Sequence, residues 1–205
     1  MKCKEISKAA LGRIPVYLRY LRELPPEVQT VSATVIAKAL GFGDVQVRKD
    51  LSLSGSPGKP KVGYVRGELI DSLNHILGCK NGGAIVVGAG KLGTALLSYT
   101  GFEEYGCSVL AAFDSRVTSP ETYPNGKSIF PMEALSDFCR RTPVQIGIIA
   151  VPKEAAQEVL NILCANGIKK IWCFAPCRLY KPADVTIQYE NLALSLAHLK
   201  SQTTM

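Results

Sequence analysis

Residues 85–97 read Ile-Val-Val-Gly-Ala-Gly-Lys-Leu-Gly-Thr-Ala-Leu-Leu. Apolar residues lead directly into a Gly-x-Gly-x-x-Gly turn at Gly88, Gly90 and Gly93, and a helical pattern follows, so the stretch predicts a strand, a tight turn and a helix start. The first glycine would permit the turn, the second would let a pyrophosphate approach the backbone, and the third would let helix and strand pack closely. The helix N-terminus would then face the phosphates.

The next apolar run supports a nucleotide site. Residues 109–113 are Val-Leu-Ala-Ala-Phe, and Asp114 follows them, 21 residues after Gly93. A carboxylate at about this spacing binds the adenosine ribose hydroxyls in dinucleotide-binding proteins. The alternative interpretation is a glycine-rich turn that binds no ligand.

Length and composition favour a globular protein. The chain has 205 residues, 47% of them hydrophobic, which suits one large or two small domains. It contains no apolar run of membrane-spanning length and no signal-peptide pattern, so we expect a soluble, cytoplasmic protein without a membrane partner. The seven cysteines form no Cys-x-x-Cys pair and the two histidines complete no metal-ligand spacing, so we expect incidental thiols and no metal. A redox-active pair of Cys173 and Cys177 is the alternative.

Positive charge is concentrated before the glycine-rich turn. Residues 1–80 contain 13 Lys and Arg against 7 Asp and Glu, whereas residues 81–205 contain 11 against 10. A basic N-terminal part suggests a polyanionic partner. A solvated basic surface is the alternative.

The N-terminal part predicts three helices joined by short turns. We expect them over residues 13–23 with Pro15 in the first turn, over 33–40 behind a Ser32 cap, and over 45–52 behind an Asp44 cap. The turn at residues 41–43 contains two glycines. Helix, short turn and helix form the helix-turn-helix pattern, here within the region from Ile14 to Leu53.

The third helix has the side chains of a DNA-reading helix. Gln46 could bond adenine, Arg48 could bond guanine and Lys49 could neutralise a phosphate. The apolar positions would face the helical core: Val45, Val47 and Leu51. An ordinary amphipathic helix with solvated charges is the alternative.

Residues 55–65 form a Gly/Pro/Lys loop between short apolar pieces. We interpret this loop as the β-hairpin wing of a winged helix, with Lys59 and Lys61 available for DNA. A flexible linker is the alternative. A connecting helix over 68–77 and a domain boundary at 78–83 follow.

Alternating strand and helix patterns after residue 83 predict an α/β fold with a parallel sheet. We expect strands over 84–87, 108–113, 144–150, 170–174 and 185–189, helices over 92–99, 132–140, 154–165 and 192–199, and a polar loop over 115–127. The last helix is expected to be amphipathic.

Two apolar dipeptides follow strands at the carboxyl edge of the predicted sheet. Val151-Pro152 and Ala175-Pro176 could form an apolar pocket for a nicotinamide ring, although ordinary loop prolines are an equal alternative. No proton donor accompanies them, so the sequence favours cofactor sensing over hydride transfer. A small NAD-dependent oxidoreductase is the alternative function.

The chain resembles the bacterial redox-sensing transcriptional repressor Rex family over roughly residues 5–200. The matching segments are Arg13-Ile-Pro-Val-Tyr-Leu-Arg-Tyr-Leu21, Val45-Gln-Val-Arg-Lys-Asp-Leu51, Lys61-Val-Gly-Tyr64, Val87-Gly-Ala-Gly-Lys-Leu-Gly-Thr-Ala-Leu-Leu97, Ala111-Ala-Phe-Asp114, Val151-Pro-Lys-Glu-Ala-Ala-Gln-Glu-Val159, Phe174-Ala-Pro176 and Glu190-Asn191. The third-helix segment and the glycine turn together make the resemblance specific.

This resemblance implies a homodimeric repressor with three segments. Residues 1–80 would be a winged-helix DNA-binding domain, 81–190 a Rossmann NAD(H)-binding domain, and 191–205 a C-terminal helix exchanged with the partner subunit. The dimer would bind a palindromic operator when NAD⁺ dominates and release it when NADH binds. The residues implied to hold the cofactor are Gly88, Ala89, Gly90, Lys91, Leu92, Gly93 and Asp114. The Asp114 carboxylate would favour NAD(H), because it repels a 2′-phosphate.

The chain departs from the family pattern at several positions. Residues 53–58 lack two aromatics usual after the third helix, and Lys91 stands where the family usually has Asn. Ala193 stands where an Asp is typical, and in the family that Asp pairs alternately with the residues corresponding to Arg13 and Tyr99. The resemblance therefore implies altered or weakened coupling between NADH and DNA.

Overall fold

The computed structural model describes residues 6–56, 58–59, 62–78 and 83–201. The chain divides into two compact units, Met1–Lys80 with Glu103–Cys107, and Asn81–Phe102 with Ser108–Met205. The three-part division of the chain at residues 80 and 190 stays a prediction.

The first unit packs four helices beside a two-stranded ribbon. Its elements are α1 (Lys8–Glu23), β1 (Thr30–Val31), α2 (Ala33–Leu40), α3 (Asp44–Ser52), β2 (Tyr64–Val65) and α4 (Arg66–Ile76), with β1 and β2 antiparallel. The Ser32 hydroxyl accepts the Val35 N–H at 3.2 Å and caps α2, as predicted. Gly41 ends α2 in the left-handed region at φ 69°, which favours glycine. The helix–turn–helix arrangement is therefore confirmed.

Three local expectations about these helices are wrong. The Ser7 side chain caps α1, so the helix begins at Lys8 and Pro15 lies inside it, well beyond the first turn. The N-cap of α3 is Gly43, and Asp44 lies in the first turn. Val45 is 80% exposed while Val47 is buried, because residues two apart on a helix point about 200° apart.

The predicted wing is shorter than a β-hairpin in the part of the chain that the structure describes. The Lys59 N–H donates to the Gly63 carbonyl at 2.8 Å and the Gly63 N–H donates to the Lys59 carbonyl at 2.9 Å. This single bridge closes the loop, and the following strand β2 pairs with β1 rather than with the other side of the loop. Lys61 lies outside the described residues.

The second unit is a seven-stranded sheet with helices. Its elements are β3 (Gly83–Val87), α5 (Lys91–Ser98), β4 (Val109–Asp114), β5 (Glu121–Thr122), β6 (Ser128–Pro131), α6 (Leu135–Arg141), β7 (Val144–Ile149), α7 (Lys153–Ala165), β8 (Lys170–Cys173), β9 (Thr186–Tyr189) and α8 (Leu192–Ser201), with a 3₁₀ turn at Met132–Ala134. A further 3₁₀ turn, Thr100–Tyr105, begins in this unit and ends in residues assigned to the first. The strand order is β5-β6-β4-β3-β7-β8-β9. All neighbours pair in parallel except β5, which runs antiparallel to β6 at the edge.

Residues 115–131 differ from the prediction of a polar loop followed directly by a helix. They contain β5 and β6, and β6 pairs with β4, where Phe130 stacks on Phe113 at 5.7 Å between ring centroids. Both strands are short, and β5 is fully exposed, so neither has a strong apolar alternation.

The helix α8 forms as predicted, and its leucines are exposed. Its four leucines (Leu192, Leu194, Leu196 and Leu199) are between 62% and 70% exposed. Leu192, Leu196 and Leu199 are spaced by four and three residues, so they share one face of the helix, whereas Leu194 points to the opposite side.

Candidate functional sites

The glycine turn joins β3 to α5, and each glycine has a different steric environment. Gly88 has φ 99°, and a Cβ there would lie 2.6 Å from the Ala150 carbonyl oxygen. A Cβ on Gly93 would overlap the carbonyl oxygen of Gly88. At Gly90 a Cβ would meet no heavy atom within 4 Å. Two glycines therefore allow the backbone to pack, and the middle one keeps the space in front of the helix clear.

The N-terminus of α5 presents backbone donors to that space. Gly90 is the N-cap, and no side chain caps the helix there. In the first turn of the helix, the Thr94 N–H donates to the Gly90 carbonyl at 2.9 Å. The free N–H groups in the first turn of α5 and the positive end of its helix dipole favour the binding of an anion.

A cavity of about 750 Å³ lies at this helix start. It is located where the strand order reverses around β3, beyond the carboxyl ends of β3, β4 and β7, which is where open parallel sheets bind ligands. Its lining contains these predicted residues: Gly88, Gly90, Lys91, Leu92, Asp114, Val151 and Pro152.

Four predicted cofactor residues do not line the cavity. The Ala89 N–H donates to Asp114, and Gly93 is buried in the contact between α5 and β3. Ala175 is buried in the core of the second unit, and Pro176 is exposed outside the cavity lining. An apolar pocket that includes Ala175-Pro176 therefore stays a prediction.

Sequence reasoning missed several lining residues. Ser115 and Arg116 follow Asp114, Val87 and Ala150 lie at the ends of β3 and β7, and five more come from the region after β6 and from α7: Met132, Ala155, Glu158, Val159 and Ile162. A basic residue two positions after the predicted ribose-binding carboxylate was visible in the sequence. The α7 residues were not, because their approach to β3 depends on the crossover packing.

Asp114 is fully engaged by its neighbours. Its Oδ1 accepts the Arg116 backbone N–H at 2.9 Å and Nε at 3.1 Å, while Oδ2 accepts the Ala89 N–H at 2.7 Å and Arg116 Nη2 at 3.0 Å. The Arg116 side chain, followed by the two backbone N–H groups, lowers the pKa of Asp114 to about 2 in spite of burial, which raises it. Direct binding of ribose hydroxyls by Asp114 stays a prediction.

The helix α3 exposes three of the residues predicted to contact DNA. Gln46, Arg48 and Lys49 are all exposed. Arg48 Nε donates to the Asp44 carboxylate at 2.9 Å and its Nη2 donates to the Thr34 hydroxyl at 3.1 Å. The exposed Val45 adds an apolar group at the helix start, where it could contact a thymine methyl group. Lys59 is exposed in the short bridge, outside the helix.

A buried polar cluster joins α1 to α3. Arg13 Nε donates to Asp50 Oδ2 at 2.7 Å, Nη2 donates to Oδ1 at 3.0 Å, and the Tyr17 hydroxyl donates to Oδ2 at 2.7 Å. Burial raises the pKa of Asp50, but the hydrogen bonds from Arg13 and Tyr17 hold it below its ordinary value. With its amide oxygen turned inward, Gln46 accepts from Arg13 Nη1 at 2.8 Å. In that orientation Gln46 presents only its NH₂ group outward.

The other predicted switch residues are on the surface of the second unit. Tyr99 follows α5, is 58% exposed, and contacts Phe102 edge-on at 4.8 Å between centroids. Ala193 is exposed in the first turn of α8, where Asn191 Oδ1 accepts the Leu194 N–H at 3.0 Å. Arg13 already has a carboxylate partner, Asp50, within the first unit.

Comparison with known proteins identifies the family. A family model described as "CoA binding domain" matches residues 79–177, and one described as "Putative DNA-binding protein N-terminus" matches residues 5–52. The redox-sensing transcriptional repressor Rex of Carboxydothermus hydrogenoformans is 40% identical over 198 residues, covering 96% of this chain and 95% of the relative. The chain belongs to the Rex family. The Rex of Clostridium botulinum (strain Hall) is 38% identical over 200 residues, covering 97% and 95%.

Solved Rex-family structures have the same fold. RSP in complex with β-NAD⁺ and operator DNA matches with a TM-score of 0.76 at 33% identity, covering 98% of this chain and 93% of that one. RSP in complex with β-NADH matches with a TM-score of 0.68 at 33% identity, covering 98% and 95%. The α/β fold with an N-terminal helical DNA-binding region and a Rossmann-like domain is therefore confirmed.

Three further observations concern membrane-spanning helices, metal ligands and thiols. Within residues 6–56, 58–59, 62–78 and 83–201, no helix is long and apolar enough to cross a membrane. The same residues contain no group of three or more potential metal ligands. The five described cysteines are free thiols, Cys173 and Cys177 among them, and a redox role for that pair stays a prediction.

Proposed function

We propose that this Rex-family chain is a cytoplasmic, homodimeric transcriptional repressor that responds to the NADH/NAD⁺ ratio. It binds a palindromic operator and is released from it by NADH. The observation that carries this proposal is the similarity over 98% of the chain to RSP, whose structures contain NAD⁺ with operator DNA in one case and NADH in the other.

The crevice at β3, β4 and β7 fits a dinucleotide. Gly90 leaves room for a pyrophosphate against the uncapped start of α5, and Lys91 adds a cation beside it. The cavity volume lies within the range of about 300–1,000 Å³ that small-molecule sites have. Gly88, Leu92 and Asp114 line one side, and Val151 and Pro152 offer an apolar surface to the nicotinamide ring.

The helix α3 is the proposed DNA-reading element. Gln46 and Arg48 face base edges, and Lys49, Lys59 and Lys61 neutralise phosphates. Because phosphate contacts release counterions, the affinity for DNA falls as salt concentration rises.

The test is fluorescence anisotropy of a labelled duplex that the protein itself has selected from a random pool. We expect tight binding in NAD⁺ and weaker binding in NADH at the same salt concentration. A Lys49→Ala variant should bind all duplexes more weakly and reduce the salt slope by about one. Binding that ignores both salt and dinucleotide would contradict the proposal.

A weakened form of this switch is the second candidate, and Ala193 is the observation that favours it. The side chain at 193 is a methyl group, so it cannot form an ion pair, and Arg13 is held by Asp50. Coupling requires a ligand to bind two states with different free energies. An Ala193→Asp variant should therefore increase the ratio of operator Kd values in NADH and NAD⁺, whereas Ala193→Asn, without a charge, should not. Equal ratios in Ala193→Asp and the wild type would favour an intact switch.

We further propose that the chain binds the dinucleotide without turning it over. The ionisable side chains that line the described cavity are Lys91, Asp114, Arg116 and Glu158, and the low pKa of Asp114 leaves it without a proton to donate. Steady NADH absorbance in the presence of a panel of carbonyl compounds supports this, and any oxidation of NADH that depends on the protein would favour the oxidoreductase alternative.

A further inference from the structure

Two residues after the end of β4, an arginine donates to both oxygens of the predicted ribose-binding carboxylate. Arg116 uses Nε and Nη2 to hold both oxygens of Asp114, and two backbone N–H groups complete four hydrogen bonds to that carboxylate. A carboxylate has about four acceptor sites. Asp114 therefore has no acceptor site left for a ribose hydroxyl while Arg116 stays in place.

The pair also changes the charge that a ligand meets. A bare carboxylate at this position repels a phosphate group on the ribose, but the guanidinium of Arg116 remains protonated and neutralises Asp114. Side chains in this pair differ in exposure: Asp114 is 7% exposed and Arg116 is 76% exposed. The buried member is the anion and the exposed member is the cation.

Arg116 retains donors that face outward. A guanidinium has five N–H groups, and the contacts with Asp114 use two of them. Among the residues that the structure describes, the Arg116 side chain donates to no acceptor other than Asp114. Ser115, also exposed and in the lining of the same cavity, places a hydroxyl next to it.

We propose that Ser115 and Arg116 form a subsite for a phosphate monoester on the adenosine ribose, so that this crevice accepts phosphorylated as well as unphosphorylated nucleotides. The inference rests on the proposed function, because it assumes that the pyrophosphate lies at the start of α5 and the ribose at the end of β4. Arg116 keeps its pair with Asp114 and donates its remaining N–H groups to the phosphate. The phosphate can be the 2′-group of NADP(H) or the 3′-group of coenzyme A.

Isothermal titration calorimetry of the full chain with NADH, NADPH and coenzyme A tests this subsite. For the wild type we expect the Kd of NADPH or coenzyme A to lie within about tenfold of the Kd of NADH. A charge-assisted hydrogen bond from Arg116 to the phosphate would replace the repulsion that a bare Asp114 carboxylate exerts. Arg116→Ala should weaken the binding of the phosphorylated nucleotide by about tenfold or more. NADH should bind as well as to the wild type or better, since Asp114 becomes free to accept hydrogen bonds from ribose hydroxyls. Which of the two phosphorylated nucleotides shows this loss identifies the 2′- or the 3′-phosphate.

Arg140→Ala is the matched control, because Arg140 is 74% exposed and lies on α6 outside the cavity lining. It should change none of the three affinities. NADH binding with a discrimination of more than about a hundredfold against both phosphorylated nucleotides would overturn the subsite and leave the proposed function intact. An equal loss of affinity for NADH and for NADPH in Arg116→Ala would also overturn the subsite. Failure of all nucleotides to bind would overturn the proposed cofactor site itself.

Discussion

The carbonyl oxygen of Gly88 leaves no room for a side chain at Gly93. Gly93→Ala must therefore move α5 away from β3 or distort the turn, and we expect a loss of about 1–3 kcal/mol of unfolding free energy together with loss of NADH binding. Urea denaturation followed by the fluorescence of Trp172, the one tryptophan in the chain, measures the stability.

The Gly90→Ala variant distinguishes an effect on NADH binding from an effect on stability. The added methyl group meets no protein atom within 4 Å, and the φ of −72° suits alanine, so stability should change little. The methyl would occupy the space where a pyrophosphate approaches, so NADH affinity should fall. If Gly90→Ala bound NADH as tightly as the wild type, the phosphate would have to lie elsewhere.

The Asp114 carboxyl group offers a pH test at the same scale. Its folded-state pKa of about 2 lies below the ordinary value of about 3.9. The ionised group therefore stabilises the fold above the ordinary pKa, and this contribution disappears as the pH falls through about 2. Carboxyl NMR should follow this titration, and Arg116→Ala should move the pKa upward. An unchanged midpoint in Arg116→Ala would contradict the pairing.

At the scale of elements, Asp50 connects two helices of the first unit. Asp50→Asn leaves the half-buried guanidinium of Arg13 without its charged partner, and we expect a loss of about 2–4 kcal/mol of unfolding free energy. Because the folded-state pKa of Asp50 is lowered, the difference between wild type and variant should be largest above the ordinary Asp pKa and shrink in acid.

Arg48→Ala is the control on the same helix. Its pair with Asp44 is exposed on both sides, at 62% and 40%, so the loss should be about 0.5 kcal/mol or less. Equal losses in the two variants would show that burial of the Asp50 pair has no special effect on stability.

Local constraints explain which elements could be predicted from the sequence. The turn at Gly88–Gly93 depends on a positive φ and on a contact five residues away, and Ser32 caps α2 by accepting the N–H group three residues further along, so both could be predicted from the chain. The strand β6 was missed because its four residues acquire strand structure only by pairing with β4. Val45 was wrongly placed in the core because it lies two residues before the buried Val47, and residues two apart on a helix point about 200° apart.

Part of the candidate site could likewise be predicted from the sequence and part could not. The cavity contains seven of the predicted cofactor residues, all of them close in sequence to the ends of β3, β4 and β7. The pairing of Arg116 with Asp114 could not be derived from spacing, because an arginine two residues after an acid can equally point into solvent. The α7 residues that line the cavity could not be predicted, because their position depends on how the crossover between β7 and β8 packs on the sheet.

At the scale of the whole molecule, α8 exposes four leucines that a single subunit does not cover. In the proposed homodimer this helix packs against the partner. Removal of residues 192–205 should therefore give a monomer by sedimentation and weaken binding to a palindromic duplex, because two half-sites are no longer linked. Leu194→Asp should have the same effect without shortening the chain. A truncated protein that remained a dimer would contradict the role of α8.

The central claim is that NADH and operator DNA oppose each other through this chain. Thermodynamic linkage requires the effect to be reciprocal, so operator DNA must weaken NADH binding by the same factor by which NADH weakens DNA binding. Calorimetric titration of NADH into the free protein and into the protein saturated with its selected duplex measures that factor directly. We expect NADH to bind more weakly to the protein saturated with DNA than to the free protein. Equal affinities in the two titrations would contradict it.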